Sequence, residues 1–240
     1  MIDLVYILGS GSIHNNKEIW YSLKSVQQYL KGYRNIYIIG NHPGFDGPFI
    51  HIPYQDKGRN KQDNIRRKFM AACDNLDISE NFLMMNDDYF FVKPVDAIFP
   101  NLYMGNLSQM YFKKRKPGHY KRALNNTILA LTYREKPILH YDIHLPIVYN
   151  KKKFVEVMNQ YDWTEPDGYV IKSLYANTLE LPSLYYEECN INFQCQSEDE
   201  IRQMIGDRFM FSVGDNAMNE VMLKYLESLY CTEFSENIEN

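Results

Sequence analysis

The sequence predicts an α/β fold built on a mostly parallel central sheet with helices on both faces. Three observations carry that expectation: short apolar runs, stretches of helical periodicity between them, and glycine-rich or polar turns closing each run. Residues 2–8 are the first run, a buried strand ending at Gly9-Ser10-Gly11-Ser12. Beyond Asn16 the period changes. Ile19, Leu23, Val26 and Leu30 recur at helical spacing, Asn15 or Asn16 stands where a cap is needed, and Gly32 stands where the helix should end. Residues 36–39 are a second strand, followed by the turn Gly40-Asn41-His42-Pro43-Gly44, and residues 49–52 are a third. A helix over 60–76 would bury Ile65, Phe69, Ala72 and Leu76 on one face. Residues 82–85 are a fourth strand running straight into Asn86-Asp87-Asp88. Ligands of parallel sheets sit beyond the carboxyl ends of the strands, so the turns at 9–12, 40–44 and 86–88 belong on one edge.

The second half is less regular. Lys113-Lys114-Arg115-Lys116-Pro117-Gly118-His119 reads as a basic loop, 120–133 as a helix, 140–146 as irregular, and 151–161 and 168–176 as short helices. Residues 209–213 read as a strand, and Asp215-Asn216 leads into a final helix reaching Tyr230. From Thr232 the chain is acidic and expected to fray.

With 240 residues, 45% of them hydrophobic and 23% charged, the chain can bury a full core without cross-links and is neither disordered nor fibrous. A net charge of -4 argues against a protein held to nucleic acid by bulk charge. Cys73, Cys189, Cys195 and Cys231 make no C-x-x-C pair and read as reduced thiols, with a Cys189–Cys195 disulfide as the alternative. No apolar run nears the ~18 residues of a membrane helix, and Met1-Ile2-Asp3 lacks the basic start of a signal peptide. A cytoplasmic protein is expected, touching a membrane at most peripherally. The 20 Tyr and 13 Phe suit stacking on sugars or bases, and suit plain core filling equally well.

Asn86-Asp87-Asp88 is the sharpest chemical signal. Two adjacent carboxylates past a buried strand repel each other where water is scarce. A hard divalent cation relieves that repulsion and bridges to phosphate oxygens; a solvated strand-end turn is the plainer alternative. Gly9, Ser10, Gly11 and Ser12 let backbone amides approach a phosphate or nucleotide ring. They form neither G-x-G-x-x-G nor a P-loop, and a tight turn explains them as well. Lys61 and Asn64, in the basic stretch from Arg59 to Arg67, share a helix face and can reach one diphosphate, unless that face is merely solvated. His140 and His144 are four apart, but the Glu of a zinc helix is absent, and Pro137 and Pro146 oppose a helix. Asp142 with His144 is the better constellation, His144 as acid–base group or ligand and Asp142 orienting it. Asp215 lies between a strand and a helix, where an N-cap competes with a catalytic role. The basic stretch 113–122 would clamp an anionic substrate or simply face solvent.

As ordered blocks, these residues resemble the Stealth proteins, sugar-phosphate transferases of capsule synthesis and lysosomal-enzyme tagging. Ile2-Asp3-Leu4-Val5-Tyr6 with Gly11-Ser12 is similar to their opening block. Glu18-Ile19-Trp20-Tyr21-Ser22-Leu23-Lys24-Ser25-Val26 and Arg34-Asn35-Ile36-Tyr37-Ile38-Ile39 are similar to the blocks that follow. Phe82-Leu83-Met84-Met85-Asn86-Asp87-Asp88-Tyr89-Phe90 is similar to the block holding their paired acids. His144-Leu145-Pro146 resembles the H-x-P block, and residues 208–215 with Phe234-Ser235 echo the last. The resemblance implies a glycosyltransferase-A-like fold whose active centre holds the paired acids, the histidine and magnesium or manganese.

The expectation is therefore one domain over 1–240, with 1–100 binding the nucleotide sugar and 101–240 completing the acceptor side. Asp87 and Asp88 would hold Mg2+ or Mn2+. Gly9, Ser10, Gly11, Ser12, Lys61, Asn64 and Asn86 would surround a UDP-sugar, and His144, Asp142 and Asp215 would serve catalysis on a glycan or polysaccharide acceptor. Two departures bear on the reaction. The stretch Leu8-Gly9-Ser10-Gly11-Ser12-Ile13 lacks the Trp and Asp of the opening block, and Gly214-Asp215 replaces Asn-Asp in the last. They put transfer of the sugar itself ahead of sugar-1-phosphate transfer, with an inactive sugar- or nucleotide-binding module as a third reading.

Overall fold

Strands that are apolar on both faces need cover on both, and the chain supplies it. A computed structural model describes residues 1–98, 100–114 and 117–231. The acidic tail from Thr232, with Phe234-Ser235, lies outside the described residues, as do Arg115 and Lys116 of the basic stretch. The first half runs β1 (Ile2–Leu8), α1 (Lys17–Tyr29), β2 (Leu30–Lys31), β3 (Tyr33–Gly40), β4 (Ile50–Pro53), α2 (Lys61–Asp74), β5 (Asn81–Met85), β6 (Tyr89–Phe91) and β7 (Val95–Asp96). Then come β8 (Asn101–Tyr103), α3 (Leu107–Lys113), α4 (His119–Tyr133), β9 (Ile147–Asn150), α5 (Lys151–Met158) and α6 (Ile171–Thr178). The chain closes with β10 (Ser183–Tyr185), β11 (Asn190–Ile191), α7 (Glu198–Ile205), β12 (Met210–Val213), a 3-10 turn at Asp215–Ala217 and α8 (Glu220–Tyr230).

The central sheet has the order β4-β3-β1-β5-β9. Its first four strands are mutually parallel and β9 is antiparallel, so the expected mostly parallel α/β sheet is the one formed. One face carries Val5, Tyr37 and Phe82 against Phe69 of α2, Leu124 of α4, Phe154 of α5 and Leu174 of α6. The other carries Leu4, Tyr6 and Ile38 against Ile19, Leu23 and Val26 of α1. A third cluster lies between α7, α8 and the small sheet β11-β12-β6, where Ile201, Met222, Phe211 and Phe90 meet.

Several expectations are corrected at element ends. α2 stops at Asp74, so Leu76 leaves the buried stripe and is 97% exposed. Asn16 precedes α1 in the left-handed region and caps nothing with its side chain; Ser12 Oγ accepts from its amide at 2.9 Å instead. The segment 107–113 forms α3 before the basic stretch, 198–205 forms α7, and 147–150 forms β9, none of them visible as a pattern. Strands of two to four residues are too short to show a period. All four cysteines are free, which removes the Cys189–Cys195 disulfide. No helix among the described residues is long and apolar enough to cross a membrane.

Candidate active site

The register of the sheet puts the three expected turns side by side. Leu8 pairs with Gly40 and Tyr6 with Met85, so the chain leaves β1, β3 and β5 at neighbouring points of one edge. Gly40 is required there. Its φ is +127°, and a Cβ on it would stand 2.0 Å from the Leu8 carbonyl oxygen. Gly9, Ser10 and Gly11 are exposed, and a Cβ on Gly11 would meet nothing within 4 Å, so the protein itself does not demand glycine at that position. The Ser12 hydroxyl is already engaged, donating to Glu18 Oε2 at 2.9 Å and accepting from the amides of His14 and Asn16.

Asp87 and Asp88 occupy the turn between β5 and β6, half-buried, with Asn86 half-buried beside them. Desolvation, then the Asp88 charge, then that of Glu18 push the Asp87 carboxyl up to about 7, with Lys61 opposing. Asp88 is also raised, chiefly by desolvation and further by Asp215, while His144 and Lys172 pull it down. Asp88 Oδ1 is sealed from solvent with no hydrogen-bond partner among the described residues. Neither carboxylate makes an ion pair among the described residues. A crowded like-charge pair with an orphaned oxygen suits a hard cation. No group of three or more His, Cys, Asp or Glu among the described residues is arranged to hold a metal ion. A cation on this pair would take its other ligands from phosphate oxygens and water.

His144 sits in the loop before β9, and its carboxylate partner is Glu188 rather than Asp142. Glu188 Oε2 accepts from the His144 amide and lies 3.2 Å from Nδ1. Desolvation works against the charged ring, but the Glu188 hydrogen bond and the Asp88 charge overcome it, so the His144 pKa is raised. Desolvation likewise works against ionised Glu188, and the His144 hydrogen bond still holds its carboxyl low. Asn190 Nδ2 lies 2.7 Å from the same Nδ1, while its Oδ1 is buried without a partner. Exchanging the two amide atoms would let Oδ1 accept from a protonated ring. Asp142 instead lies near the Tyr120 hydroxyl at the start of α4, whose pKa is raised by burial and then by the Asp142 charge. His140 is 1% exposed with Nδ1 unpaired, and burial lowers its pKa. Asp215 is exposed at the end of β12, its carbonyl 3.1 Å from His14 Nε2 and its charge within reach of Asp88.

The expected donor-side residues divide. Lys61 is exposed at the start of α2 with its charge felt at Asp87. Asn64 Oδ1 accepts from the Gly58 amide at 2.5 Å, holding the loop before α2 rather than facing a ligand. Arg66 and Arg67 both bind Asp63. Lys121 lies over the Tyr111 ring, and Arg122 binds Asp167, so these parts of the basic stretch are anchored to the protein. Glu188, Asn190, Lys172, Tyr120 and Glu18 were not anticipated as site residues. A strand-end Asp pair announces itself locally, whereas a carboxylate 44 positions from its histidine leaves no spacing to read.

No protein-family model matches the chain, and a search of curated proteins finds no match. Among solved structures it is similar to the galactosyltransferase LgtC in complex with donor and acceptor sugar analogues. The TM-score is 0.47 at 11% identity, covering 97% of this chain and 98% of that one. A likeness that loose decides no activity.

Proposed function

We propose that this chain is a divalent-metal-dependent transferase acting on a nucleotide-diphosphate sugar, with a UDP-sugar as donor and a glycan or polysaccharide as acceptor. The observation that carries the reading is the half-buried Asp87–Asp88 pair, raised in pKa and in no ion pair among the described residues, at the carboxyl edge of a parallel sheet beside His144. Mg2+ or Mn2+ on these two carboxylates would supply positive charge against the diphosphate. The open shelf of Gly9, Ser10 and Gly11 leaves room for the nucleoside. Lys61 adds a cation near Asp87. Glu188 holds Nδ1 of His144; Nε2, which lies 3.3 Å from Asn190 Nδ2, would take the acceptor hydroxyl's proton, and Glu188 stabilises the imidazolium so formed. Asp142 adds negative charge near Tyr120 and Lys172, and Asp215 adds negative charge near Asp88.

A thermal-shift screen of nucleotide sugars with and without Mn2+ tests donor binding without an acceptor. Asp88→Ala should leave the chain folded and abolish Mn2+-dependent donor hydrolysis; wild-type turnover in that variant removes the metal reading. The Stealth resemblance favours the second reaction, sugar-1-phosphate transfer, from the same site. Release of UMP rather than UDP decides for it.

A further inference from the structure

We propose that Lys172 is a positioning residue that locks the Asp88 turn and the His144 loop to each other; what it positions rests on the transferase reading above. Lys172 lies on α6, every residue of which is buried, and is itself 4% exposed. An ammonium so deep is tolerated only when its donors are used and negative charge faces it. Both conditions hold. Nζ donates to the Tyr89 hydroxyl at 3.1 Å, to the Ile143 carbonyl, and to the Leu145 carbonyl at 3.2 Å. Burial lowers the Lys172 pKa, and Asp142, Glu188 and Asp88 act the other way, favouring the charged form.

The three acceptors are where a lock is needed. Ile143 and Leu145 flank His144, and Tyr89 follows Asp88. The backbone ladder between β5 and β9 runs from Asn81 opposite Asn150 to Met84 opposite Ile147 and then stops. Beyond it, among the described residues, no strand pairs the acid turn directly with the histidine loop; an indirect tie runs from β6 through β12 and β11 to the Asn190 and Glu188 contacts on His144. The Lys172 ammonium spans that gap with one bond to the acid-bearing segment and two to the histidine-bearing one.

Two variants test this. Lys172→Met removes the ammonium and strands three acceptors. Tyr89→Phe deletes a single bond, keeps the charge, and so remains informative where Lys172→Met fails to fold. Hydrogen–deuterium exchange reads the lock directly: in either variant exchange should rise in 86–90 and 141–146 and stay unchanged in β1 and β3. With a UDP-sugar and Mn2+, kcat for donor hydrolysis should fall about tenfold in Tyr89→Phe and about a hundredfold in Lys172→Met, with donor KM within about twofold of wild type. Unchanged exchange in the two segments overturns the lock. Raised exchange with unchanged kcat, or kcat and KM worsening together with raised exchange throughout the chain, overturns the positioning role. A wild-type chain that hydrolyses no donor, while exchange changes as stated, overturns the transferase reading and leaves the lock standing.

Discussion

At His144 the backbone amide and ring nitrogen Nδ1 both turn to one carboxylate, that of Glu188, which fixes the ring's orientation and favours its charged form. The linkage has a definite window. Glu188, held low, contributes stability above its unfolded value near ~4.3, and that contribution is lost as pH falls through its depressed folded value. His144, held high, contributes fully below its unfolded value of about 6.5 and loses that contribution as pH rises through its raised folded value. Glu188→Gln should therefore lower Tm more at pH 6 than at pH 9, because the charged ring's contribution is lost as pH rises through its raised folded value. Equal losses at the two pH values would show the pair to be electrostatically idle. His144 was legible as a candidate because Asp142 and His144 stand close in a stretch that Pro137 and Pro146 keep irregular, and because His144-Leu145-Pro146 resembles the H-x-P block. Its partner was not, because only the fold brings residue 188 beside residue 144.

Between elements, the same residue types can serve the scaffold instead. Asp3 is the second residue in the first block of the resemblance, yet here it is a bracket, 0% exposed. It accepts from Arg34 Nε at 3.0 Å, from the Asn35 amide at 3.0 Å and from the Ser79 amide at 2.7 Å, joining the starts of β1, β3 and β5. Asp3→Ala leaves the Asn35 and Ser79 amides without that partner and should cost about 2 kcal/mol in a denaturant titration. A loss under ~0.5 kcal/mol, the range of ordinary surface changes, contradicts the bracket. Gly40→Ala should cost on the order of 2–4 kcal/mol, because φ there is closed to L residues and the Leu8 carbonyl blocks the Cβ. A fold as stable as wild type would mean the two strand ends can move apart. Helix ends were the least legible feature. Leu76 continues the apolar stripe of α2 in sequence, but the helix terminates first and leaves it in water.

For the whole molecule, the sheet edge concentrates negative charge in one place, and pH decides what can answer it. Ionising Asp87 becomes increasingly costly as pH rises from ~3.9 in the unfolded chain toward its folded value of about 7. Below that window a proton relieves the pair, and above it a cation must. UDP with Mn2+ should therefore raise Tm clearly at pH 8 and weakly at pH 5.5, and the gain at pH 8 should vanish in Asp88→Ala. A gain independent of pH would place the metal elsewhere.

The sequence by itself determined the α/β class, the parallel order implied by strands apolar on both faces, and the shared edge of the turns after β1, β3 and β5. Periodicity and strand-end turns are local properties, so they survive without the fold. Tertiary structure alone decided that β9 returns antiparallel beside β5, carrying His144 toward Asp88, and that Glu188 and Lys172 converge there from distant segments. Those choices follow from which buried charges can find partners once the core has closed, and that depends on distances through space that no spacing along the chain encodes.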